Sequence, residues 1–86
     1  MKAINVNIHE FTEKFNQEYE FLYDNYDRVA GYDEAVDMFD TMSKNKNFVA
    51  FVGEFVKFRG DFISSDREAA AFMFALESMG ALEDVA

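Results

Sequence analysis

The chain has 86 residues and a formal net charge of -9, with eight Lys and Arg against seventeen Asp and Glu; half of it is hydrophobic, 17% is aromatic, and it contains no Pro, Cys or Trp. So much apolar mass excludes a disordered chain, the length holds one core, and the want of cysteine excludes disulfides, thiolate zinc sites and cysteine nucleophiles. The negative balance argues against direct binding to nucleic acid or to an anionic membrane, and for a basic partner.

The first element is the plainest. Asn7 suits a helix N-cap, Glu10 stands three residues on as in a capping box, and Val6 with Phe11 matches the flanking hydrophobic staple. From there Ile8, Phe11, Phe15, Tyr19, Leu22, Tyr26 and Val29 recur at steps of three and four, which predicts one buried helical stripe. Gly31 reads as a left-handed stop, giving a first helix of roughly 23 residues. A second helix is predicted from about Asp33 to Ser43, with Ala35, Val36, Met38, Phe39 and Met42 on one side and Asp33, Glu34, Asp37 and Asp40 on the other. The polar stretch Ser43 to Asn47 reads as a connection.

Phe48 to Arg59 is open to two readings. Phe48, Phe51, Phe55, Phe58 and Phe62 step as on a helix, yet Val and Phe also favour strands; the period favours helix. Val49, Val52 and Val56 widen its apolar arc, leaving Ala50, Gly53, Glu54 and Lys57 opposite, so it is expected to be the central helix or half of a self-association surface. The last helix has a start signal in Ser65-Asp66-Arg67-Glu68, a capping box, and a stop in Gly80. Its expected buried face is Ala69, Phe72, Met73, Leu76 and Met79, followed by a short acidic tail from Ala81 to Ala86. The sum is an all-α fold, a compact bundle of about four helices forming a single helical domain over residues 1–86.

Catalytic parts are missing. A lone His9 cannot form a His pair or a serine triad, and the separated Gly31, Gly53, Gly60 and Gly80 make neither a P-loop nor a dinucleotide fingerprint. The run from Asp24 to Asp33 has its oxygen ligands and glycine at the wrong offsets for an EF-hand. A carboxylate metal site is the remaining enzymatic alternative, but the Glu-x-x-His pair of di-iron bundles is lacking, and nearly all the acids fall opposite the apolar stripes. No catalytic, cofactor or metal residues are therefore assigned, and a non-enzymatic binding protein is expected. The segment Met1 to Val6 has neither a basic region nor a hydrophobic signal core, and no stretch is long enough to span a membrane, which together with the cysteine-free composition reads as a cytoplasmic chain.

Charge is unevenly spread. Residues 10–40 carry a balance of -8, whereas residues 41–60 carry +3. On the first helix Glu10, Glu13, Glu20, Asp24 and Asp27 follow steps of three and four, with Gln17 filling the gap, on the side opposite the aromatic stripe. Asp33, Asp37 and Asp40 extend this ridge, and Phe21 stands beside it as a candidate interface anchor. Those nine residues are the predicted partner-binding set. They suit occupation of a basic site on a nucleic-acid-handling protein by imitation of phosphates; the alternatives are a solubilising charge, or a regulatory or scaffolding helical module that binds through apolar faces, including a homodimer through the Phe48 to Phe62 segment. In size, acidity and lack of catalytic motifs the chain resembles small phage-encoded inhibitors that imitate nucleic acid, such as anti-restriction and anti-CRISPR proteins. That resemblance is one of composition, and it implies inhibition by occlusion without assigning site residues.

Overall fold

A computed structural model describes residues 4–82; the start of the chain and the last part of the acidic tail, residues 83–86, lie outside them. Within that span α1 covers Ile8–Asn25, a 3-10 turn follows at Tyr26–Arg28, and α2 (Tyr32–Met42), α3 (Lys46–Arg59) and α4 (Asp66–Ser78) come after it. The described residues contain no strand, so the ambiguous third segment is helical and the expected all-α bundle of four helices is what forms.

α1, α3 and α4 start where a side chain satisfies free amides, whereas α2 starts after Gly31 with no side-chain cap. Asn7 Oδ1 accepts from the amides of His9 and Glu10 at 2.9 and 3.1 Å. Asn45 Oδ1 does the same for Asn47 and Phe48 at 2.9 and 3.1 Å, so α3 begins at Lys46, inside the stretch expected to be a connection.

The first helix is shorter than its periodicity suggests. Asn25 turns its Nδ2 back onto the Phe21 carbonyl at 2.8 Å, and the backbone leaves the α-helix there. Tyr26 is then drawn aside, with the Arg67 guanidinium 4.3 Å from its ring and the Tyr32 ring 5.4 Å away. Gly31, expected to stop the first helix, instead precedes α2 at a φ of 85°, a left-handed turn that costs a residue with a Cβ about 1 kcal/mol or more.

The helix at the centre is α4, so of the two expectations for α3 the central position is overturned. Ala69, Ala70, Ala71 and Ala75 keep its surface low, so α1 and α2 pack closely against it from different sides. Phe72 is fully buried, and the rings of Phe11, Phe39, Phe48, Phe51 and Phe55 surround it at centroid distances of 4.8 to 5.8 Å. Most meet it edge to face, an arrangement that sets positive ring edges against negative faces. Of the five phenylalanines at this spacing, Phe48, Phe51 and Phe55 are buried, whereas Phe58 at the end of α3 and Phe62 beyond it are exposed. Met38 of α2, placed on the inner side by periodicity, is exposed as well.

This packing leads to paired expectations. Phe72→Ala should cost about 3–5 kcal/mol in urea unfolding, because it opens a cavity shared by four helices. Gly53→Ala should instead raise stability by about 0.5–1 kcal/mol, since Gly53 is helical and exposed, with nothing within 4 Å of a Cβ built on it.

Candidate functional site

The core stripe of α1 decides where its acids point. With Phe11, Phe15 and Leu22 buried, Glu10, Glu13, Glu20 and Asp24 are all exposed. The row runs for about 21 Å along α1, against a longest molecular extent of 33 Å. Asp27 is exposed on the 3-10 turn, and Asp33, Asp37 and Asp40 are exposed on α2. Because α1 and α2 pack mainly on α4 rather than on each other, the predicted single ridge is carried as two rows joined by the turn at Asp27. Among the described residues these acids meet one cation, Arg28, whose Nε is 3.9 Å from Asp27 with both side chains exposed; such a pair contributes little.

Phe21, beside the α1 row, is 56% exposed. It forms one wall of a groove of about 320 Å³ between α1 and the end of α4, with Phe74 lining it, Leu22 at the base, and Glu18 and Glu77 among its polar groups. Elsewhere in the Phe48 to Phe62 segment, Val49 at the start of α3 and Phe58 and Phe62 at and beyond its end are exposed, with Val49 about 180° around the helix from Phe58. The ring of His9 lies 4.7 Å from Phe58 in an edge-on contact.

One acid breaks the outward pattern, and sequence reasoning saw only half of its role. Glu68 is 8% exposed. Its amide donates to Ser65 Oγ at 3.2 Å, as the capping box requires, but its carboxylate accepts from the Ser64 amide at 3.0 Å and the Ser64 hydroxyl at 2.9 Å, one residue further back. Glu68 Oε2 also pairs with Arg59 Nη2 at 2.8 Å. Arg59 in turn donates to the Asp61 and Phe62 carbonyls, and its guanidinium lies 4.9 and 4.8 Å from the Phe15 and Phe55 rings. The signal for this was present: Arg59 stands four residues after Phe55, and Glu68 four before Phe72, so both lie on buried stripes. Gly60 caps α3 at a φ of 75°, turning the chain so that Arg59 and Glu68 meet.

Burial alone would raise the Glu68 carboxyl, but hydrogen bonds from Arg59 and Ser64, with the Arg59 charge, outweigh it and hold the group below its ordinary value. At the other end of this region, burial first and then the Asp66 carboxylate push the Tyr32 hydroxyl upward, against the nearby Arg67 charge. Neither arrangement offers a reactive group at an open cleft. Among the described residues no cluster of three or more carboxylate or imidazole groups is placed to hold a metal ion, and no helix is long and apolar enough to cross a membrane.

In comparison with known proteins, the chain matches no family model, no curated protein and no solved structure.

The Arg59 and Glu68 pair leads to a stability test. Arg59→Leu leaves a buried carboxylate without its cation and should cost roughly 3 kcal/mol, whereas Arg59→Leu with Glu68→Leu should recover most of that loss. Since the folded-state pKa of Glu68 lies below the unfolded one, its contribution is fully present above about pH 5 and is lost as pH falls through the folded value. Urea unfolding at several pH values should therefore show the gap between wild type and Glu68→Gln closing on acidification.

Proposed function

We propose that this chain is a small, cytoplasmic, non-enzymatic binding protein that occupies a basic site on a nucleic-acid-handling protein, setting the carboxylates of α1 and α2 where that site would otherwise meet phosphates. The observation that carries the reading is that Glu10, Glu13, Glu20, Asp24, Asp27, Asp33, Asp37 and Asp40 are all exposed, with only the loose Arg28 contact among the described residues to offset them. An ordinary solubilising surface does not need acids in register along one helix, where like charges at such spacing cost about 0.3 kcal/mol per pair. The four acids of α1 stand on average about 7 Å apart along its axis, about twice the roughly 3.4 Å axial spacing of phosphates on a strand, so the row on α2 would have to be engaged as well.

The mechanism is occlusion. Long-range attraction speeds encounter with a basic surface, and the exposed Phe21 beside the row slows departure by burying its ring. The similarity in composition to phage-encoded inhibitors of restriction and CRISPR systems is in keeping with this reading.

The exposed Phe58 and Phe62 at and beyond the end of α3 favour a second reading, a regulatory or scaffolding module that binds through apolar surface, including as a homodimer through the Phe48 to Phe62 segment. Salt separates the two, because screening weakens a charge-driven complex and leaves an apolar one nearly unchanged.

A pull-down from the native cell at low salt should capture a nucleic-acid-binding protein that elutes as ionic strength rises. Glu20→Lys, Asp24→Lys and Asp27→Lys together should abolish that capture with helicity unchanged by circular dichroism. Undiminished capture by the triple variant would reject the acidic rows as the site, and a dimer that persists at high salt would favour the second reading.

A further inference from the structure

The groove between α1 and α4 has chemistry that the acidic rows alone do not. Phe21 and Phe74 supply two aromatic rings, Leu22 and Val29 an apolar floor, and Glu18 and Glu77 two carboxylates that are not ion-paired among the described residues. Elsewhere this molecule sets rings around a cation twice, and in one case adds a carboxylate. Arg59 lies against the Phe15 and Phe55 rings with its Nη2 2.8 Å from Glu68, and Arg67 lies against the rings of Tyr26 and Tyr23 at 4.3 and 5.5 Å. In the groove the rings and carboxylates are present, and among the described residues no arginine of this chain reaches them.

We infer that the groove receives an arginine side chain from the basic partner, its guanidinium set against Phe21 and Phe74 and hydrogen-bonded to Glu18 or Glu77. This inference rests on the reading of the acidic rows as the partner-binding surface and names the residue type that the surface selects. Three observations point to arginine on a protein. The groove adjoins the α1 row through Phe21, which lies next to Glu20 and four residues from Gln17 and Asn25, so an extended basic segment following the row reaches it. Its carboxylates and rings suit a planar cation that stacks and bonds in a fork, whereas the compact, strongly hydrated lysine ammonium gains less from a ring face. Its floor is apolar, matching the alkyl stem that arginine lays along such surfaces.

The probes are labelled nona-arginine and nona-lysine peptides, equal in length and charge, titrated against the full chain by fluorescence anisotropy at low salt. Nona-arginine should bind about fivefold more tightly than nona-lysine. Phe21→Ala with Glu77→Gln should remove that preference, bringing the two affinities within about twofold of each other, while Phe21→Tyr, which keeps a ring, should retain it. Phe21 and Glu77 are both exposed, so circular dichroism and thermal unfolding should show the double variant folded. Amide shifts on nona-arginine binding should centre on Phe21, Phe74 and Glu77.

Equal affinity of the wild type for the two peptides, or a preference that survives in the double variant, would overturn the inference. Failure of the underlying reading has a different signature: the charge-reversed α1 variant retains capture of the cellular partner. If that variant loses capture while the wild type shows no arginine preference, the groove inference fails and the acidic rows stand.

Discussion

The burial of Phe72 against rings from every other helix is the constraint from which the rest of the molecule follows. Aromatic pairs of this kind add about 0.5–1.5 kcal/mol each beyond the area they bury, and their edge-to-face geometry fixes the rotation of each helix about its own axis. Once Phe11 of α1 turns toward Phe72, Glu10, Glu13, Glu20 and Asp24 have only solvent to face. The proposed binding surface is thus the reverse side of the core. Its precision depends on packing rather than on any polar scaffold holding the carboxylates in place.

A single polar device complements that core. Arg59 and Glu68 close the link between α3 and α4 by tying the last turn of one helix to the first turn of the next. Buried ion pairs seldom add much net stability over apolar replacements, because removing two charges from water offsets their attraction. Their value here lies in direction. The guanidinium is fixed by two rings, two carbonyls and one carboxylate, so the chain between Gly60 and Ser65 has few other ways to run.

Much of the fold is legible in the sequence because the helices carry their own punctuation. The Asn7 and Ser65 caps specify where α1 and α4 begin, and Gly80 marks the end of α4 to within about two residues. What was not legible depends on contacts between distant residues. The end of α1 at Asn25 goes with a side-chain bond back to the Phe21 carbonyl and with Tyr26 lying against Arg67, forty-one positions away in the chain. The outer position of α3 reflects the alanines of α4, which allow neighbours to approach a helix with a less conspicuous apolar pattern. For the candidate site, outward-facing acids could be read from the wheel, but not their division between two helices. The groove beside Phe21 was likewise out of reach, since Phe74 and Glu77 come from a helix whose position on α1 no local pattern reveals.

Placing the central helix last in order along the chain has a consequence for synthesis. Phe11, Phe15, Phe48, Phe51 and Phe55 leave the ribosome before the ring they close upon, so the nascent chain must carry a row of greasy side chains with no core to receive them. Over that interval its surplus of carboxylates keeps neighbouring copies apart by mutual repulsion. The same acids therefore serve the polypeptide before it has any shape to present.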